Sequence, residues 1–159
     1  MKNRILSLAV LALFVLASCT QMNEQKYNDT VVNMYTTYSN SIGAKMSAIG
    51  NSSDKQKSLA DVKSIEKTTD SCINVMNGLK PSEEAKDFHQ KVLAVFQTVK
   101  SDFVPLANKI TSIDANQDVD AFNKLVDEYN NLNTKINQAE SAAQTAQQVY
   151  VSKVGMKIK

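Results

Sequence analysis

Residues 122–150 read FNKLVDEYNNLNTKINQAESAAQTAQQVY, and their apolar side chains recur at every third or fourth position without a slip. That stripe consists of Phe122, Leu125, Tyr129, Leu132, Ile136, Ala139, Ala143, Ala146 and Tyr150. Alternating spacings of three and four keep side chains on one face of an α-helix. The stretch therefore predicts a long amphipathic helix from about Asp118 to Lys153, which Gly155 ends.

Three earlier segments show the same periodicity. We expect one helix from about Asn23 to Ile49, a second from about Asp54 to Asn77, and a third that begins at residues 80–84 and reaches Ile110. Their stripes are Tyr27, Val31, Tyr35, Tyr38, Ile42 and Ile49; Val62, Ile65, Thr69, Cys72, Met76 and Leu79; and Ala85, Phe88, Val92, Phe96, Val99, Phe103, Leu106 and Ile110. The stripe of the third segment keeps its phase across Pro105, so we expect a kinked helix there rather than two helices.

These segments predict an all-α fold, an antiparallel up-down-up-down four-helix bundle with coiled-coil-like packing. Short connections make consecutive helices antiparallel neighbours, and Gly78 is expected to end the second helix in the left-handed conformation. In that topology large side chains of the first and third helices face alanines of the fourth, which would hold the bundle at constant width. The large residues are Tyr27, Tyr35 and Phe88, and the small ones are Ala139, Ala143 and Ala146.

The N-terminus has the organisation of an export signal. Lys2 and Arg4 precede a largely apolar run of twelve residues, 5–16, which is too short to span a hydrocarbon core of about 30 Å as a helix. The run ends in Leu16-Ala17-Ser18-Cys19. A common secretory signal would need the small residues but not the cysteine.

Leu16-Ala17-Ser18-Cys19 resembles the lipobox of bacterial lipoproteins, and all four positions match. The resemblance implies recognition of Leu16, Ala17 and Ser18 by the lipoprotein signal peptidase, cleavage before Cys19, and acylation of Cys19. With the polar spacer and the helices, the chain is similar to small helical surface lipoproteins of double-membrane bacteria. In that group an Asp after the lipidated Cys retains the protein at the inner membrane; Thr20 stands here, which favours the outer membrane.

Cleavage would change the charge of the working protein. It would leave 141 residues and remove Lys2 and Arg4, so that basic and acidic residues would both number 16. Arg4 is the only arginine, and the chain has no tryptophan. Because arginine forks and stacked aromatic rings commonly grip phosphates and bases, we expect no nucleic-acid partner.

Residues 114–120, DANQDVD, place oxygen ligands at the odd positions of an EF-hand calcium loop. However, Val119 stands where that loop needs glycine, and Leu125 stands where it needs a bidentate glutamate. We therefore expect a connection whose acids cap the fourth helix, and a calcium dissociation constant in the micromolar range would contradict this interpretation.

Three further features favour structural roles. His89 lacks the glutamate of a Glu-x-x-His metal motif because Lys86 stands there, so we expect a solvated or flanking histidine. Cys72 lies on the core stripe, where it would be a small apolar side chain, with an intermolecular disulfide as the alternative. The helix-one tyrosines fit a core better than a ligand site. The basic tail with Lys153, Lys157 and Lys159 is a frayed terminus or a contact with anionic headgroups.

We divide the chain into residues 1–18, a cleaved signal peptide; 19–26, the lipidated cysteine and spacer; 27–155, the bundle; and 156–159, a tail. The pattern favours a non-enzymatic module that is anchored to membrane lipid through Cys19 and binds another envelope protein or component, or acts as a spacer. No nucleophile, base and orienting residue can be assembled, and no cofactor is implied. The alternative is a carrier of a small ligand or metal that uses the bundle interior or the acidic connection.

Overall fold

The computed structural model describes residues 23–49, 54–114 and 117–156. In these ranges the chain forms four helices and no strand, which confirms the all-α four-helix fold. The helices are α1, Glu24–Ala48; α2, Lys55–Gly78; α3, with segments Lys86–Thr98 and Val104–Ser112 joined by a π-helical turn, Val99–Phe103; and α4, Val119–Lys153. None of the helices in those ranges has the length and apolar character needed to cross a membrane.

Three of the four helices begin with a side-chain cap. The side chains of Asn23, Asp54 and Asp118 each accept a hydrogen bond from the backbone N–H three residues later, at 2.7, 3.0 and 3.0 Å. Such a bond satisfies one of the donors that a helix start leaves without a partner. The first helix, α1, begins at Glu24, close to its expected start at about Asn23, so the last three residues of the 19–26 division are helical.

The helix ends show one confirmed and one wrong expectation. Gly155 has a φ of 68° and follows α4, and the Met156 N–H donates to the carbonyl of Val151 at 3.0 Å. This six-to-one bond defines a Schellman motif. Gly78 is instead the last residue of α2 in ordinary helical geometry, and Leu79 ends the helix in an extended conformation.

The third helix crosses Pro105 without stopping, as expected. The five-residue π-helical turn ends at Phe103, two residues before the proline, and the Val104 N–H donates to the carbonyl of Val99. The wider turn relieves the clash that a proline ring makes in an α-helix, and Pro105 itself is exposed. The helix starts later than expected, at Lys86, after a turn over residues 83–85.

The core is built around α3. Every residue of its expected stripe is buried, and four further side chains are buried as well: Val95, Val104, Ala107 and Thr111. A stripe this wide fits a helix that contacts more than one neighbour. Phe96 is fully buried, with its ring centroid 4.7 Å from that of Tyr38 on α1. The 20° crossing and the up-down-up-down order stay predictions.

Candidate functional site: the α1–α4 seam

The seam between α1 and α4 is loosely packed in the described bundle. Consecutive helices pack directly, whereas the backbones of α1 and α4 seldom come within 8 Å of each other in the described ranges. Long side chains bridge the gap, and α3 forms its floor. The seam therefore leaves space for another molecule.

Four hydrogen-bonded pairs cross the seam. They are Tyr150 to the Glu24 carboxylate at 2.6 Å, Gln147 to the Asn28 side chain at 3.0 Å, Tyr35 to the Glu140 carboxylate at 2.6 Å, and Tyr129 to the Met46 carbonyl at 2.8 Å. In each pair the hydroxyl or amide of one helix donates to an oxygen of the other. The pairs are spaced along the whole length of the seam. They hold α1 and α4 together, although the backbones of these two helices do not pack closely.

A recess of about 180 Å³ opens between two of these pairs. Its wall is mainly apolar and comes from three helices, with Val31 and Tyr35 on α1, Phe88 and Val92 on α3, and Ala143 on α4. Glu140 and Gln144 supply polar groups, and the recess is partly open to solvent. An apolar cavity of about 150 Å³ can hold a molecule as large as benzene, so the recess is large enough for one ring.

This recess corrects the expectation that large side chains would fill the space beside the alanines. Tyr27 and Phe88 pack on the ring of Tyr150 instead, at centroid distances of 6.1 and 5.9 Å. Tyr35 and Phe88 do lie beside Ala143, but the three side chains leave a gap. A small residue facing large ones leaves empty volume when the large side chains find partners elsewhere.

A second recess of about 310 Å³ continues the seam on the other side of the Tyr35–Glu140 pair. It has a more polar wall, including Ser39, Asn133 and Asn137, above a floor formed by Val95 and Val99. Glu140 lines both recesses. Glu140 therefore stands between the two recesses.

The hydroxyls of Tyr35 and Tyr150 have a pKa that is raised above its usual value, so both stay protonated at ordinary pH. Burial raises the pKa of Tyr35 well above its usual value, and the Glu140 carboxylate that accepts its hydrogen bond raises it further. Burial likewise raises the pKa of Tyr150, and the bond to Glu24 adds to that effect. Both hydroxyls consequently act as hydrogen-bond donors and not as bases.

One end of the seam is a polar cluster that joins three helix termini. The Glu24 carboxylate accepts from the hydroxyls of Tyr150 and Ser82, at 2.6 and 3.1 Å. Beside it, the Tyr27 hydroxyl is hydrogen-bonded to Nδ1 of His89 at 2.7 Å. Burial lowers the pKa of His89, and its half-buried position beside Phe88 agrees with the expected solvated or flanking histidine.

Cys72 lies in the core as expected. It is buried and carries a free thiol, and burial raises its pKa. A thiol in such a position is a poor nucleophile because the thiolate is the reactive form.

The acidic connection contains a helix cap. Asp118 caps α4 by accepting from the Ala121 N–H, as its sequence position predicts. Residues 115–116 of the EF-hand-like stretch lie outside the described residues. Among the residues that the structure does describe, no three His, Cys, Asp or Glu side chains converge as metal ligands would.

The lipobox positions Leu16, Ala17, Ser18 and Cys19 lie outside the described residues, as do Lys157, Ile158 and Lys159 of the tail. The structure therefore does not describe the residues that the sequence assigned to lipidation. It brings together Tyr35 and Glu140, which are 105 positions apart. Sequence reasoning missed Glu140 because it flanks the α4 stripe in the same way as solvated acids of that helix do.

Comparisons of the chain with protein-family models, with curated proteins and with solved structures give no match.

Proposed function

We propose that this protein is a lipid-anchored, non-enzymatic binding module of the bacterial cell envelope. Acylation of Cys19 would attach it to a membrane, on the outer membrane more than the inner. The described bundle would carry the recognition surface. No transmembrane helix or cofactor is part of this proposal.

The lipid anchor is supported by the sequence and by the start of α1. Leu16-Ala17-Ser18-Cys19 matches a lipobox at every position, and α1 begins at Glu24, five residues after Cys19. Five extended residues reach at most about 18 Å, so an acylated Cys19 would keep the bundle close to the membrane surface.

The end of α4 lies beside the start of α1, which supports an orientation with that end of the bundle towards the membrane. Tyr150, near the end of α4, donates to the Glu24 side chain at the start of α1. In an up-down-up-down bundle both ends of the chain would therefore face the membrane. The opposite end of the bundle, with the end of α1 and the start of α4, would face away from it.

The single observation that carries the binding role is the partly open recess in the seam. The polar side chains beside the recess form hydrogen bonds with one another, as Tyr35 does with Glu140. Groups that are paired in this way suit a preformed binding surface better than they suit proton transfer. The recess is lined mainly by apolar side chains, and fold stability alone would favour a recess that is filled. A spacer would need no such opening.

Metabolic labelling tests the anchor. The full chain is expressed in a double-membrane bacterial host that is fed an alkyne fatty acid, and incorporation is read on a gel. We expect label on the wild type and none on Cys19→Ser. Cys72→Ser is the matched control and should label fully; equal labelling of Cys19→Ser and the wild type would refute the proposal.

Fractionation of the two membranes tests the sorting. We expect the wild-type chain in the outer membrane and a shift of Thr20→Asp to the inner membrane. A wild-type chain that is found in the inner membrane would contradict the outer-membrane part of the proposal and leave the labelling result intact.

The carrier of a small ligand is the second candidate, and the recess favours it as well. A carrier would retain its ligand through purification, whereas a surface that recognises a larger envelope component would not. Mass spectrometry of the protein released from native membranes separates the two. A stoichiometric small molecule in the wild type that is lost in Ala143→Leu would favour the carrier.

A further inference from the structure

Glu140 has an unusual environment for a carboxylate. It is partly buried in the seam, and within the described part of the chain no lysine forms an ion pair with it. Its Oε1 accepts from the Tyr35 hydroxyl at 2.6 Å. A carboxylate has about four acceptor positions, so this bond leaves most of its capacity, including all of Oε2, available to a ligand.

The surroundings of Glu140 add an apolar and aromatic component. The recess of about 180 Å³ beside it is lined by Val31, Val92 and Ala143, and by the rings of Tyr35 and Phe88. A ring-sized apolar group fits such a volume. Aromatic rings also attract cations within about 6 Å of their centroids. The recess thus combines an apolar well with a negative charge at its edge.

We propose that the recess binds a small organic cation: a primary ammonium attached by a short link to one aromatic ring or a branched alkyl group. The apolar group would occupy the well between Val92 and Ala143. The ammonium would donate to Oε2 of Glu140 while Tyr35 keeps its bond to Oε1. This inference deepens the proposed binding role of the seam and is independent of acylation at Cys19.

The charge balance of the site favours a cation over a neutral or anionic ligand. An ammonium would neutralise the only charged group that lines the recess, Glu140, whereas a carboxylate or phosphate would be repelled by it. The remaining polar groups at the recess, those of Thr36, Gln144 and Gln147, can accept the other ammonium protons through their oxygens. A donor-rich cation therefore matches an edge that is rich in acceptors.

Benzylamine is the probe for this proposal, and benzyl alcohol is its neutral counterpart of nearly the same shape. Calorimetric titrations use the full chain in nanodiscs of zwitterionic lipid, which limits attraction of the amine to the membrane. We expect saturable binding of one benzylamine, and binding of benzyl alcohol that is about tenfold weaker or more, because it lacks the charge-assisted bond. Equal affinities, or no saturable binding of benzylamine, would overturn the proposal.

Variants assign the binding to the recess. Glu140→Gln should weaken benzylamine binding about tenfold or more, and Glu128→Gln, at an exposed acid of the same helix, should leave it unchanged. Ala143→Leu should abolish binding of both probes by filling the well. Unaltered binding in Glu140→Gln would overturn the assignment.

Two further measurements exclude simpler explanations. Tyr35→Phe removes the hydroxyl that donates to Glu140 but keeps the carboxylate, whereas the side-chain oxygen introduced by Glu140→Gln can still accept from Tyr35. Tyr35→Phe should therefore lose less benzylamine binding than Glu140→Gln. An equal or larger loss in Tyr35→Phe would mean that the hydrogen bond between the helices, and not the charge of the carboxylate, controls binding. Nα-acetyl-lysinamide carries the same ammonium on an unbranched stem. If Nα-acetyl-lysinamide binds more tightly than benzylamine, the proposal of a ring-sized ligand is refuted, and the result indicates that the recess binds a lysine side chain. Fatty-acid labelling of Cys19 is unaffected by any of these outcomes.

Discussion

The Tyr27–His89 pair links the start of α1 to the start of α3. The hydroxyl lies 2.7 Å from Nδ1, and the two rings stack with their centroids 6.4 Å apart. A neutral imidazole whose Nδ1 carries no proton accepts a hydrogen bond from the Tyr27 hydroxyl in this geometry. Because burial penalises the imidazolium form, this contact favours a neutral histidine.

His89 should therefore make the bundle less stable in mild acid. Its folded pKa lies below the ordinary value of about 6.5, so on acidification the unfolded chain binds the proton first. Its contribution to stability is complete above about pH 6.5 and is lost as the pH falls towards the folded pKa. Urea unfolding at a series of pH values should show a shallower decline in His89→Asn than in the wild type; parallel declines would contradict the prediction.

Removing the Tyr150 hydroxyl should cost more than removing that of Tyr129. Tyr150 donates to a carboxylate, Glu24, whereas Tyr129 donates to the neutral carbonyl of Met46. We expect Tyr150→Phe to lower the free energy of unfolding by about 1.5–3 kcal/mol and Tyr129→Phe by about 0.5–1.5 kcal/mol. Chemical denaturation measures both, and a larger loss in Tyr129→Phe would show that charge does not set the order.

At the scale of the helices, two glycines give a matched test of backbone conformation. Gly155 has a φ of 68° in the turn after α4, and Gly43 lies in the interior of α1. A Cβ atom would meet nothing within 4 Å at either position. Any difference between the two alanine variants therefore comes from the backbone.

We expect opposite effects of the same substitution. Gly155→Ala should destabilise the protein by about 1–2 kcal/mol because a Cβ disfavours the left-handed conformation. Gly43→Ala should stabilise it by about 0.5–1 kcal/mol because alanine is the better helix former. Thermal unfolding measures both, and a change of the same sign in the two variants would contradict this account.

The helices could be predicted from the sequence because their signals are local. Asp54 and Asp118 each precede an apolar-periodic run, and the bond that each makes is to a backbone N–H only three residues away. The end of α2 could not be predicted in the same way. Gly78 permits the left-handed conformation but does not require it, and the chain leaves the helix through Leu79 instead.

The candidate site could not be predicted because its contacts are not local. Periodicity indicates which side chains of α1 and α4 turn inward, and it identified Tyr35 and Ala143. It cannot indicate that the Tyr35 hydroxyl reaches Glu140, or that the space beside Ala143 stays open. Both depend on how far apart the two helices stand, which is set by packing on α3.

At the scale of the whole molecule, stability depends on one core. Cys72 is a free thiol, so packing must supply what a disulfide would add. Phe96 is at the centre of that core, with no exposed surface and ring contacts to Tyr35 and Tyr38. We expect Phe96→Ala to lower the free energy of unfolding by about 3–5 kcal/mol.

The same substitution tests whether the bundle opens as one unit. In a Cys19→Ser background Cys72 is the only thiol, and it is 7% exposed. If a thiol reagent reaches Cys72 only through global unfolding, Phe96→Ala should raise the labelling rate by a factor that corresponds to its loss of stability, tenfold for each 1.4 kcal/mol. Labelling and urea denaturation of the same samples give the two values. A labelling rate that is insensitive to Phe96→Ala would show that α2 opens locally, and that the four helices are not a single cooperative unit.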